Sequence, residues 1–160
     1  MTGHIVCSRF VNRLRAGARE REKGRRPHEA KDHDPLRGRP GQGAAVLHRQ
    51  LGFQKKTDFS VGPYRWLTVV SGDDPNGPEL HLETTASPVA KAYQEGLRGQ
   101  NTPASMFFVD NIEADHDRLS KAGVKFTQPV TKTTGSRIAM LDDTCGNLIQ
   151  LTQLEWGQGS

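Results

Sequence analysis

Between Glu79 and Glu83 the chain alternates strictly as Glu79-Leu80-His81-Leu82-Glu83. In an extended strand this puts two carboxylates and an imidazole on one face and two leucines on the other. Those polar types can do acid/base work, and a carboxylate lining a cleft could serve as a general base, with Glu79 the candidate. The plainer reading has Glu79 and Glu83 as solvated strand carboxylates and His81 as a hydrogen-bonded or solvent-facing histidine. Two cysteines, Cys7 and Cys145, give neither a disulfide framework nor a C-x-x-C pair. Cys145 sits in a turn with no neighbour that would activate a thiolate. The Asp142-Asp143 pair is expected to serve a hairpin turn through side-chain bonds to backbone.

Positioning such residues needs regular elements, and Ala104 to Gln153 supplies the clearest set. Met106 to Val109 is an apolar run of strand length. Asp110 is a candidate N-cap, with Glu113 placed to complete a capping box. Ile112, Leu119 and Ala122 recur at helical spacing, and Gly123 is the natural stop. Val124 and Phe126 begin a strand that Pro129 confines to a sheet edge or an end. Ile138–Leu141 and Leu148–Leu151 then flank turn residues in a hairpin.

Earlier in the chain, Leu51-Gly52-Phe53 reads as a helix end, a glycine stop and a strand start. Phe53–Phe59, Tyr64–Val70 and Glu79–Glu83 read as strands, with Trp66, Thr68 and Val70 sharing one face. Ser87-Pro88 opens a helix in which Val89, Tyr93 and Leu97 recur every four residues. Leu51–Glu83 and Ala122–Gln150 therefore match in order: glycine stop, strand, turn, hairpin. The duplication predicts an α+β fold of paired βαβββ modules, each with a helix on one sheet face and the other face free to line a cleft. The first module lacks a recognisable opening strand and helix.

Residues 1–50 hold 12 Lys/Arg against 5 Asp/Glu, so the chain's net charge of +4 arises entirely there and the remainder is mildly acidic. Hydrophobic content is only 34%, and the deficit is concentrated in the same third. The expected organisation is a basic, disordered or aberrant segment over 1–43 and a domain over 44–154. The domain comprises a first module (44–85), a linker helix region (86–103) and a second module (104–154), followed by a tail at 155–160. Ile5-Val6 and Phe10-Val11 look too short to form elements. A nucleic-acid role would rest on the basic arm alone and is not expected. No apolar run is long enough to span a bilayer, and the cysteine usage points to a reducing, cytoplasmic setting.

The residues Leu51-Gly52-Phe53, Glu79 to Glu83, Met106 to Ile112, Leu119 to Val124 and Asp142 to Leu151 resemble the vicinal oxygen chelate superfamily, which includes glyoxalase I, bleomycin-resistance proteins and extradiol dioxygenases. The resemblance implies a sheet-lined cleft and, in metal-dependent members, one divalent ion held by His and Glu from the first and last strands of each module. Carried over by position, Ala104 stands where a metal His belongs and Gln150 where a metal Glu belongs. Glu79, His81 and Gln150 are the remaining metal candidates. The same pattern turns Ala104, Met106 and Phe108 toward the cleft, joined by Trp66, His81, Met140 and Gln150. The expected function is small-molecule binding without a complete metal site, by a chain that could form a homodimer. The alternative is a metal-dependent lyase or dioxygenase of the same superfamily. The family's opening strand and helix should precede Leu51, yet they are absent. Back-translating Lys31 to Arg49 with degenerate codons and reading one nucleotide later permits K-I-T-I-L-Y-V-V-D-Q-D-K-A-L-R-F-Y-T, the missing strand and helix. A shifted reading frame is therefore one expectation and a divergent terminus the other.

Overall fold

Alternating residues and glycine stops become strands and turns much as their pattern dictates. The computed structural model describes residues 5–7, 11–13, 46–62, 64–84 and 87–155. In chain order the elements are β1 (Ile5–Cys7), β2 (Val11–Arg13), a single π-helical turn α1 (Val46–Gln50), β3 (Phe53–Val61), β4 (Tyr64–Ser71) and β5 (Glu79–Thr84). There follow α2 (Pro88–Gly99), β6 (Ser105–Phe108), α3 (Ile112–Lys121), β7 (Phe126–Thr133), β8 (Ser136–Asp142) and β9 (Leu148–Leu154).

Two sheets result, ordered β1-β5-β4-β3 and β2-β6-β9-β8-β7. In the second, β6 runs parallel to β9, while β9-β8-β7 is an antiparallel meander. This is the strand–helix–three-strand module the sequence predicts. The first sheet repeats the meander as β5-β4-β3. Its opening strand departs from the repeat, because β1 lies antiparallel to β5, whereas β6 is parallel to β9. Here the sequence reading is corrected. Ile5-Val6 and Phe10-Val11 look too short to form elements, yet Ile5–Cys7 pairs with β5 and Val11–Arg13 with β6. Both satisfy backbone groups that a sheet edge would otherwise leave open. The rest of the basic segment up to residue 45, and with it most of the Lys31 to Arg49 stretch of the expected frame change, lies outside the described residues.

Local chemistry explains the element ends. Gly52 has φ +75° and Gly123 has φ +86°, conformations that cost a side-chain-bearing residue strain. After α3, the Gly123 N–H donates to the Ser120 carbonyl at 3.0 Å and the Val124 N–H to Leu119 at 3.0 Å, the paired bonds of a Schellman stop. The start of α3 is one residue later than the capping pattern suggests. Asn111, not Asp110, is the cap, its side chain accepting from the Ala114 N–H at 3.0 Å. Glu113 points elsewhere, pairing with Arg137. Pro129 falls in edge strand β7, where the register to β8 slips, as a residue without an N–H requires.

One continuous core joins both sheets. Phe53, Leu67, Val69, Leu80 and Leu82 from the first sheet meet Phe107, Leu141, Ile149 and Leu151 from the second, with Ile112 and Leu119 of α3. Phe53 and Phe107 make an aromatic link between the two sheets, their ring centroids 5.1 Å apart. His116 packs on Phe126, centroids 4.2 Å apart, the packing role its helix position suggests. Helix α2 behaves unexpectedly: Val89 and Tyr93 of its apolar stripe are exposed, and the residue it buries is Gln94. Among the described residues no helix is long and apolar enough to cross a membrane.

Candidate functional site

Strand register brings the predicted residues of the first sheet into one patch. Thr68 lies opposite His81, Val70 opposite Glu79, and Phe59 opposite Trp66. Directly opposed residues share a face, so these six stand on the side away from Leu67, Val69, Leu80 and Leu82. The Trp66 indole stacks on the His81 imidazole with centroids 4.1 Å apart and planes 22° apart. Trp66 is 48% exposed and Phe59 52%, which leaves an aromatic strip open on this face. His81 Nδ1 is 3.5 Å from Glu83 Oε1, while its buried Nε2 has no hydrogen-bond partner.

Glu79 is committed to its neighbours. Its carboxylate accepts from the Thr68 hydroxyl at 2.6 Å and pairs with Lys56 Nζ at 3.3 Å. The Thr68 bond, with a smaller contribution from Lys56, holds its carboxyl below the usual range. That favours a fixed ionised strand carboxylate over a group poised to take up a proton.

On the reverse side, Asp58 clamps β3 to β4. It accepts from Arg65 Nε and Nη2, each at 2.8 Å, and from Lys55 Nζ at 3.1 Å. The Arg65 bonds, aided by Lys55, lower the Asp58 carboxyl to about 2. A depressed carboxylate contributes stability above its unfolded value and loses it as pH falls through the folded value. Asp58→Asn is therefore expected to cost less than about 1 kcal/mol near neutrality, because the pair is largely solvated. Urea unfolding from pH 6 to 2 should show that difference closing as pH approaches 2.

In the second sheet Met106, Gln150 and Met140 form one cross-strand row, and Phe108, Thr152 and Ile138 form the next. Both rows face away from the core-lining Phe107, Ile149 and Leu151. Ala104 continues the same strand face, its N–H donating to the Leu148 carbonyl at 2.8 Å. Gln150 Nε2 donates to the Thr152 hydroxyl at 3.0 Å. Thus Ala104, Met106, Phe108, Met140 and Gln150 share a face, and Trp66 and His81 touch. Among the described residues no hydrogen bond, ion pair or ring contact joins the first set to the second.

The turn before β9 holds the site's least legible feature. Asp143, 1% exposed, accepts from the N–H groups of Cys145 (2.7 Å) and Asn147 (2.9 Å) and from Asn147 Nδ2 (2.5 Å). Gln94 reaches in from α2, donating to Asn147 Oδ1 at 2.8 Å and the Cys145 carbonyl at 3.1 Å. Arg98 Nη2 donates to Asp142 Oδ2 at 2.6 Å, and Asp142 Oδ1 accepts from the Thr144 N–H at 2.7 Å. Both aspartates thus bond turn backbone, as expected. Burial pushes the Asp143 carboxyl up despite these donors. Phe59 and Gln94 are among the residues here to which the sequence pattern gives no role.

The divalent ion implied by the family resemblance does not fit this donor set. The row nearest its expected place offers an amide and two thioethers, with alanine at the adjoining strand start. Among the described residues no three His, Cys, Asp or Glu side chains converge. Divalent ions of the kind the resemblance implies favour carboxylate and imidazole donors over these.

Comparison with known proteins agrees with the geometry. The family model described as Glyoxalase/Bleomycin resistance protein/Dioxygenase superfamily matches residues 42–151. YurT of Bacillus subtilis (strain 168), itself uncharacterized, is 48% identical over 104 residues that span 65% of this chain and 82% of YurT. Among solved structures, UcmS2 is 28% identical with a TM-score of 0.59, covering 69% of this chain and 86% of its own. TnmS3, described as an antibiotic binding protein from Streptomyces sp. CB03234, is 24% identical with a TM-score of 0.53 and covers 71% and 84%; it supports the fold. With topology, matched span and relatives in agreement, the chain belongs to the glyoxalase/bleomycin resistance protein/dioxygenase superfamily.

Proposed function

We propose that this chain binds a compact, partly apolar small molecule on the non-core faces of its sheets, without a complete metal site. The observation that carries this reading is the row Met106–Gln150–Met140. It joins two adaptable thioethers to one neutral amide, a lining suited to holding an organic ligand. The exposed Trp66 and Phe59 extend the apolar character to the first sheet. The description of TnmS3 as an antibiotic binding protein supports the same class of ligand.

A thermal-shift screen of aromatic and antibiotic compounds tests it. A ligand at about 100 times its Kd should raise Tm by roughly 5–10 °C, from about 2.7 kcal/mol of linkage. A diverse panel with no hit would overturn the proposal. The metal-dependent lyase or dioxygenase alternative would need His81, Glu79 and Gln150 together. Metal analysis of protein purified without chelator separates the two readings, because stoichiometric bound metal would favour the alternative.

A further inference from the structure

We propose that the first sheet recognises a hydroxyl-bearing planar aromatic ring, which stacks on Trp66 and Phe59 and donates its O–H to His81 Nε2. This rests on the small-molecule reading above and names the chemistry its ligand must have. Three observations on one sheet face carry it.

The first is an unmet acceptor. Glu83 Oε1 stands 3.5 Å from His81 Nδ1, and a neighbouring carboxylate favours the tautomer with its proton on Nδ1. Nε2 is then a lone-pair acceptor. It is buried and unpartnered, a state that costs free energy until a donor arrives. The Thr68 hydroxyl, directly opposite His81, does not supply that donor, because it is already given to Glu79 at 2.6 Å.

The second is the stacking surface. Trp66 covers the imidazole at a centroid distance of 4.1 Å and 22° between planes. Among the described residues no hydrogen bond holds the indole in place. With no such bond to break, the indole can swing off the imidazole to uncover Nε2 and still offer its face to the ligand ring. Phe59, opposite Trp66 in register and 52% exposed, widens that surface. Aromatic rings gain from offset or edge contacts beyond the area they bury.

The third is what the face lacks. Glu79 is already paired with Lys56 at 3.3 Å, so its charge is compensated within the protein. The unmet requirement is for a neutral donor on an aromatic frame.

Calorimetric titration of the full chain with 2-naphthol and 2-methoxynaphthalene tests this. The two share a ring system, and only the first can donate. Naphthol should bind about tenfold more tightly, the loss expected when a buried acceptor goes unpaired. His81→Phe keeps an aromatic ring for stacking and removes Nε2. It should bring naphthol to the level of the methoxy compound and leave the latter within about twofold. Trp66→Ala should weaken both by about tenfold. Equal affinity of the two probes for the unaltered protein would overturn the proposal, as would a parallel loss of both in His81→Phe. Should that variant fail to fold, the ratio of the two probes on the unaltered protein decides alone. If neither probe binds while a compound in the thermal screen does, this inference fails and the small-molecule reading stands. If nothing binds in either experiment, both fall.

Discussion

Asp143→Ala is expected to lower stability by about 3–5 kcal/mol and Tm by roughly 10 °C or more. The carboxylate is the common acceptor for the Cys145 and Asn147 N–H groups and the Asn147 amide, at 2.7, 2.9 and 2.5 Å. Alanine leaves three donors facing a space from which water is largely excluded. Each such orphan costs about 1–3 kcal/mol, and the losses overlap because the donors share one turn. Two of them belong to Asn147, whose Oδ1 is the landing point for Gln94. The damage should therefore pass to α2. Gly146 shows how tightly the two are fitted: its φ is +100°, and a Cβ there would come within 3.1 Å of the Gln94 amide carbon.

The same residue has a pH signature of opposite sign to Asp58. Burial raises the Asp143 carboxyl in the folded chain. A raised group contributes stability that is complete below its unfolded value and is lost as pH rises through the folded value. Asp143→Asn does not titrate. The stability of the unaltered protein relative to Asp143→Asn should thus decline as pH climbs from about 4. Urea unfolding of both proteins at matched pH values gives that difference directly. A difference that grows with pH would show that the three donors outweigh burial.

The second module was legible because its signals are local and complete. Gly123, the apolar run at Met106–Val109 and the turn residues before Leu148 each act within a few positions. The cap was misplaced by one residue because Asp110 and Asn111 are both capping types, and only the geometry selects Asn111. Helix α2 misled in a different way. Its spaced Val89, Tyr93 and Leu97 look like a buried stripe, yet a tertiary hydrogen-bond network pulls the Gln94 side inward. No periodicity encodes that. The first module's opening was illegible because β1 and β2 are three residues each and are defined by pairing with distant strands.

The site divides along the same line. Alternation alone placed His81 with Glu79 and Met106 with Phe108, since each set lies on one uninterrupted strand. Phe59 escaped because simple alternation puts it on the face of Phe53, six residues earlier. The register slips between Lys55 and Thr57, and that irregularity moves Phe59 across to the side of Trp66. A bulge depends on two strands at once, and neither strand's sequence announces it.

Phe107→Ala should cost about 3–5 kcal/mol, the usual range for truncating a fully buried phenylalanine. Phe107 is 0% exposed and Phe53 is 1% exposed. Their rings meet at 5.1 Å between strands of different sheets. The truncation therefore opens a cavity at the join, where neither module can close over it alone. If the sheets share one core, the variant should unfold in a single transition. Trp fluorescence and far-ultraviolet circular dichroism should report the same midpoint. A double-mutant cycle with Phe53→Ala should give a coupling of about 0.5–1.5 kcal/mol, as expected for an aromatic pair. Two separate transitions, with one sheet surviving the loss of the other, would contradict a shared core. The consequence for binding follows from chain connectivity. Phe53 begins the strand that carries Phe59, and Phe107 lies between Met106 and Phe108. Loosening this one contact should weaken ligand binding on both sheets, although neither ring touches the faces proposed to hold the ligand.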